Sequence, residues 1–266
     1  MYVAGIDVGT SATKVAIVDE KREVLVRFSA VTGNTPSSAA EEAFQLAIDK
    51  AGVSRGDVSY IVSTGFGRYM VPFRNIQLTD FTSHALGALY CFPNTHTVLD
   101  IGSNGTRASR VESNGRVKDF KLNDKCAAGA GMFLVRTARF LEMGVEDIGP
   151  LCLKSQKAAE ISSVCTVLGE TEIINHLTAG TEVEDIVKGV VSSLAHRAVV
   201  LLKKVGIEEE VTLTGGTARN IGMVNLLEEV LERKINFSAD GQEGSYFSGA
   251  IGAALGGYIR LEKPKE

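Results

Sequence analysis

Two cysteines and two carboxylates stand where their chemistry can be used. Cys126 lies in DKCAAGAGMFL, residues 124–134, directly before a helical pattern. At a helix start its sulfur meets free backbone N–H groups and the positive end of the helix dipole, and both favour thiolate over thiol. A thiolate is a nucleophile or a metal ligand. Cys165 has a similar setting in ISSVCTVLGETEII, residues 161–174. Asp7, in DVGTS, puts a carboxylate at the end of an apolar run, followed by Gly9, Thr10 and Ser11. The N–H and hydroxyl groups of such a turn cradle phosphate oxygens, while the carboxylate orients Mg²⁺ and its waters. Asp100, with Gly102 and Ser103, offers the same arrangement a second time. Two such turns facing one another would hold a polyphosphate and its metal, with catalysis supplied by positioning and charge neutralisation.

The elements that carry these turns are repeated. YVAGIDVGTSATKVAIV (2–18) aligns with TVLDIGSNGTRASRV (97–111), pairing Asp7 with Asp100, Gly9 with Gly102, Thr13 with Thr106 and Lys14 with Arg107. Each copy is an apolar strand, a small-residue turn and a second strand. A third strand follows each, after a polar turn at 19–22 in the first copy and after Asn114-Gly115, a two-residue hairpin signal, in the second. A repeat of this length indicates two related lobes rather than a solenoid. SSAAEEAFQLAIDKAGV reads as a helix with Ser at its start and Gly52 near its end, and VSYIVSTG as a buried strand. Further helices are expected over 127–141, 167–178, 184–204, 218–233 and 246–260, with VTLTGG a buried strand ending in Gly215 and Gly216. The class is α/β. The expected division is 1–93 plus 246–266 as one lobe and 94–245 as the other, hinged near residues 92–95.

Composition narrows the partners. The 266 residues are 44% hydrophobic, enough for a large core, and carry 28 glycines, no Trp and a formal charge of −4. That charge supports neither a nucleic-acid nor an anionic-membrane partner, which need concentrated Lys and Arg. No run approaches the ~18 apolar residues of a membrane span, and the N-terminus reads as a strand rather than a signal peptide, so a cytoplasmic protein is expected. There is no CxxC, which leaves zinc-ribbon and thioredoxin readings unsupported. Cys91 and Cys152 read as core residues. His84, His96, His176 and His196 share no metal spacing, and Arg68 reads as a turn residue.

GIDVGTSATK, STGFGR (63–68), LDIGSNGTR, LTGGTARN (213–220) and GAIGAALGG (249–257) occur in an order that resembles the actin, sugar-kinase and heat-shock-ATPase superfamily. The resemblance implies a ribonuclease-H-like fold in each lobe with a nucleotide cleft between them. It also implies Gly215 and Gly216 beside the adenosine and GAIGAALGG as a helix at the lobe hinge. Within that superfamily, NDKCAAGAG, SSVCTVLGETEII, VKGVVSSLAHR and LTGGTARN are similar to the activator ATPases of 2-hydroxyacyl-CoA dehydratases and the ATPase subunits of benzoyl-CoA reductase.

That resemblance implies ATP/ADP with Mg²⁺, bound by Gly9, Thr10, Ser11, Lys14, Gly102, Ser103, Gly215 and Gly216, with Asp7 and Asp100 as catalytic carboxylates. It implies one [4Fe–4S] cluster shared between two subunits, with Cys126 and Cys165 as this chain's ligands. A cubane cluster takes four thiolates, and two chains supply four; read without the resemblance, both cysteines fit equally well as small core residues. The implied function is ATP-driven electron donation. A ferredoxin or flavodoxin reduces the cluster, and one electron passes to an iron–sulfur component that binds the acyl-CoA. Glu170 is placed to reach the ribose or to cap its helix.

The chain departs from the family's DIGGQD pattern, reading DIGSNG at 100–105, so Asn104 stands where a water-positioning Gln is expected. This departure, with HALGALYCFP before it, resembles the second ATPase subunit of the benzoyl-CoA reductase pair and keeps homodimer and heterodimer both open. Two alternatives remain: a small-molecule, sugar-type kinase, and a nucleotide-sensing partner that does not hydrolyse ATP.

Overall fold

The computed structural model describes residues 1–123, 130–162, 166–238 and 243–262. The first sheet contains β1 (Tyr2–Val8), β2 (Ala12–Val18), β3 (Val24–Val31), β4 (Val58–Thr64) and β5 (Ile76–Gln77), in spatial order β3-β2-β1-β4-β5. The second contains β6 (Thr97–Ile101), β7 (Thr106–Val111), β8 (Val117–Asn123) and β9 (Val211–Thr214), in order β8-β7-β6-β9. Both are built alike. Three antiparallel strands run in sequence, and a later strand, β4 or β9, adds parallel to the first. The expected repeat is therefore a repeat of topology, and the fold is the expected two-lobed actin-like ATPase fold.

The helices are α1 (Pro36–Ala51), α2 (Asp80–Cys91), α3 (Ala130–Phe140), α4 (Ile148–Cys152), α5 (Thr166–Thr178), α6 (Val183–Val205), α7 (Ile221–Leu231) and α8 (Gly244–Glu262). β1 and β2 are almost wholly apolar because both faces are covered. Ala4, Ile6, Val8, Val15 and Ile17 face α1, where Phe44 and Ile48 are buried. The alternate residues Val3, Ala16 and Val18 meet Ala250, Ile251, Ala254 and Tyr258 of α8. The second sheet packs Leu99, Ile101 and Leu213 against α3, α4, α6 and α7 in one continuous core.

The starts of α1 and α7 differ from expectation for local reasons. α1 begins at Pro36, ahead of the serines, because proline's fixed φ and missing N–H suit a first helical position. The helix expected from 218 is a single turn over Gly216–Arg219. Then Asn220, whose side chain accepts from Met223 N at 2.9 Å, starts α7.

α2 was not expected. Thr79 caps it, and its inner face is Ser83, His84, Ala85, Gly87 and Ala88, too small and polar to show apolar periodicity. It crosses α8 backbone to backbone, so close that a Cβ on Gly252 would run into the Ser83 carbonyl. Ala85 and Ala88 also bury against Val98 and Val111 of the second sheet. α2 and α8 thus form a layer shared by both sheets. No helix among the described residues is long and apolar enough to cross a membrane.

Candidate nucleotide site

The repeat brings its charged residues into register. Asp7 lies opposite Lys14 across β1–β2 and beside Thr64 of β4. Asp100 lies opposite Arg107 across β6–β7 and beside Thr214 of β9. Lys14 Nζ donates to Asp7 Oδ2 at 2.9 Å, and Arg107 Nη1 to Asp100 Oδ2 at 2.9 Å. The glycine after each threonine, Gly65 (φ +87°) or Gly215 (φ +90°), is in the left-handed region, and a Cβ there would overlap the neighbouring aspartate's Oδ1. Glycine is needed on both counts. STG and LTG are therefore a third limb of the repeat. Sequence comparison found both motifs but not their equivalence, because only the parallel pairing of β4 and β9 makes it visible.

Asp7 and Asp100 are each 4% exposed. Burial, the largest single influence, pushes the Asp7 carboxyl up, but the Lys14 ammonium, His84 and Arg107 together outweigh it and hold the carboxyl below its ordinary range. Burial likewise opposes the Lys14 and Arg107 charges, and their aspartates outweigh it, so both hold their protons more tightly than usual. The two turns meet at their tips, where Ser11 Oγ and Ser103 Oγ are 2.6 Å apart.

Arg68, read from sequence as a turn residue, does more. It donates to the Gly65 carbonyl at 3.0 Å and approaches Asp80 at 3.5 Å. Arg107 reaches the same Asp80 at 3.4 Å, so one carboxylate at the start of α2 meets a guanidinium from β7 and another from the turn after β4. Asp80, Arg68 and His84 stand beside the predicted residues although the sequence reading gave them no place at the nucleotide turns, and Thr214 joins them from within the LTGG motif. The strand repeat offers no signal for Asp80 and His84, which come from α2.

The remaining candidates are less gathered. Gly216 has open space where a Cβ would be, beside a surface on which Arg219 lies 3.6 Å from the Tyr246 ring centroid. Asn104 is exposed at the tip of its turn. Glu170 is ion-paired with Arg136 of α3 at 3.1 Å. Cys126 and Cys165 lie outside the described residues. The helices that follow them are described. Phe133 of α3 packs on Gly169 of α5, and Arg136 pairs with Glu170, so the opening turns of the two helices lie together.

Cys152 is buried in the second core, and burial pushes its thiol up to about 11. It is expected to resist iodoacetamide at pH 8 in native protein and to react once unfolded; mass mapping before and after denaturation checks this.

The fit to a magnesium nucleotide rests on the donor set. Among the described residues no three His, Cys, Asp or Glu side chains surround one metal position. The two buried carboxylates, Asp7 and Asp100, are a donor set that Mg²⁺ accepts, since it is commonly held by one or two carboxylates together with phosphate oxygens and waters. Thr64 Oγ1 is fully buried beside Asp7 with no hydrogen-bond partner, an unsatisfied hydroxyl that a metal-bound water would bond.

The second turn is also wired outward. Gly131 N donates to Gly102 O at 3.1 Å and Met132 N to Ser103 O at 3.0 Å. These α3 amides would otherwise lack intrahelical partners, so the phosphate turn itself satisfies the start of α3. A Cβ at Gly131 would stand 2.9 Å from Ser103 Cα.

The chain matches the BadF/BadG/BcrA/BcrD ATPase family over residues 4–257. It is 38% identical over 264 residues to the (R)-2-hydroxyglutaryl-CoA dehydratase activating ATPase of Acidaminococcus fermentans, covering 99% of each chain. It is 37% identical over 266 residues to a benzoyl-CoA reductase subunit of Thauera aromatica, covering 98% of this chain and 94% of the relative. The solved structure of the activator of the 2-hydroxyisocaproyl-CoA dehydratase from Clostridium difficile, with bound ADPNP, superposes with a TM-score of 0.90 at 32% identity, over 100% of this chain and 99% of that one.

Proposed function

This chain belongs to the BadF/BadG/BcrA/BcrD ATPase family, and on that premise we propose that it is the ATP-driven electron donor to an acyl-CoA dehydratase or benzoyl-CoA reductase-type enzyme. The observation that carries the reading is the pair of hydrogen bonds tying Gly131 and Met132 of α3 to the second phosphate turn. MgATP binds between the two turns, with Asp7 and Asp100 orienting the hydrated metal and Lys14 and Arg107 balancing charge. To admit the phosphates, the Ser11 and Ser103 hydroxyls exchange their mutual bond for bonds to phosphate oxygens. Ser103 cannot move without moving the first turn of α3, which packs on the first turn of α5. Cys126 precedes α3 in sequence and Cys165 directly precedes α5, so nucleotide state reaches both ligand segments.

A [4Fe–4S] cluster held by Cys126, Cys165 and two cysteines of a second ATPase subunit would supply the one-electron chemistry. Val135 and Phe140 of α3 and Leu168, Ile174 and Leu177 of α5 are exposed apolar side chains, suited to burial against that second subunit. The acyl-CoA belongs to the iron–sulfur partner, and a ferredoxin or flavodoxin is the electron source.

Gly131→Ala, whose Cβ would crowd the Ser103 backbone, is expected to force α3 off the second turn, so that MgATP supplied at saturation no longer acts on α3. Hydrogen exchange of the amides in 130–134 checks this: MgATP changes their protection in wild type and leaves it unchanged in the variant. An equal response in both would remove the carrying observation.

The exposed Asn104 favours a second reading, a subunit that turns over ATP only beside a non-identical sibling. Steady-state ATP hydrolysis by the isolated chain, compared with the co-purified pair, decides between them. The kinase alternative is set aside, because the relatives that establish the family are dehydratase activators and a reductase subunit.

A further inference from the structure

His84 takes no part in the steps above, yet it stands between the two aspartates. It projects from α2, outside both strand repeats, and is 6% exposed. Its Nδ1 lies 2.9 Å from Thr214 Oγ1 and 3.7 Å from Asp100 Oδ1. Its other edge turns to the first lobe: a Cβ on Gly249 would sit 3.0 Å from His84 Nε2 and 2.8 Å from Asp7 Oδ2. Nδ1 therefore faces Asp100, while Nε2 lies on the side of the ring toward Asp7. The place of His84 on α2 is fixed, because the carbonyl of its neighbour Ser83 packs directly on Gly252 of α8.

Here the pseudo-symmetry is broken. Thr214 is bonded to His84, whereas its counterpart Thr64 has no hydrogen-bond partner among the described residues. Asp100 is thus flanked by Arg107 and by the Thr214–His84 pair, while Gly215 crowds it only as Gly65 crowds Asp7. Asp7 has Lys14, and the Thr64 hydroxyl beside it is unbonded.

We propose that His84 is a positioning residue of the nucleotide site, its Nδ1 fixing Asp100 and Thr214 so that Asp100 and Asp7 address one metal ion. The inference deepens the ATPase reading and rests on it for the identity of that ion's companion ligand. An asparagine amide occupies the place of an imidazole Nδ1, and a glutamine amide that of Nε2, so the two substitutions separate the two edges of the ring.

The experiment measures Mn²⁺ binding by electron paramagnetic resonance, with and without ADP, on wild type, His84→Asn, His84→Gln and His84→Phe, each checked for folding by thermal unfolding. His84→Phe is expected to weaken Mn²⁺ binding about 10–100-fold, the usual cost of removing a group that orients a metal's ligand. His84→Asn is expected to restore most of that affinity and His84→Gln little of it. Equal behaviour of Asn and Gln, or wild-type affinity in His84→Phe, would overturn the proposal. Should His84→Phe fail to fold, the Asn–Gln contrast decides alone. A wild type that binds Mn²⁺ but no ADP would defeat the ATPase reading, and that same contrast would still decide the role of His84.

Discussion

Asp100→Asn protein is expected to fold normally and to lose about 10²–10³-fold in ATP turnover, in whichever assembly the chain turns over ATP. The choice of aspartate matters. Both carboxylates are 4% exposed, and each is paired with a cation at 2.9 Å. The Lys14 side chain, however, is only 11% exposed, and Asp7 is its ion-pair partner. Removing one member of a buried pair costs about 3–5 kcal/mol, because the other charge stays buried and uncompensated. Against a typical stability of roughly 5–15 kcal/mol, Asp7→Asn would mix a folding defect with a catalytic one. Arg107 is better provided for. Its side chain is 25% exposed, and it keeps Asp80 at 3.4 Å when Asp100 is neutralised. Turnover at saturating Mg²⁺, read beside the thermal midpoint, checks the expectation. A folded Asp100→Asn protein with near wild-type turnover would take Asp100 out of the site.

How much of this site was legible depended on the kind of signal. Asp7, Asp100, Lys14 and Arg107 were visible because the strand–turn–strand unit occurs twice, and identical registers leave matching residues in line. Thr64 with Gly65 and Thr214 with Gly215 occupied recognised motifs. Their equivalence nonetheless emerges only when β4 and β9 add to the same edge of the two sheets. α2 was illegible for a physical reason. A helix that crosses another at backbone contact needs Ser, Ala and Gly on its inner face, and so lacks the apolar stripe by which helices are read. His84 and Asp80 disappeared with it. His84 was weighed as a metal ligand by its spacing from other histidines, whereas its partner is Thr214, 130 positions away. The Gly131 contact is of the same kind. AGAGM shows small residues at a helix start but not which loop they press against.

Cys126→Ser carries the other large expectation, because the account joins two functions in one chain: a nucleotide site whose second turn is bonded to α3, and a cluster whose ligands precede α3 and α5. Serine keeps the size and polarity of cysteine but is no thiolate, so four potential ligands across two chains become two. Two thiolates do not hold a cubane cluster that ordinarily takes four. The apolar faces of α3 and α5 remain, so the subunits are expected still to associate. The measurement is iron and labile-sulfide content, with colour and sedimentation, of wild type and Cys126→Ser purified together without exposure to oxygen. The account predicts brown wild-type dimers with about four irons per two chains, and colourless, iron-free Cys126→Ser protein. Wild-type and variant preparations that are both colourless, iron-free and equally dimeric would contradict it.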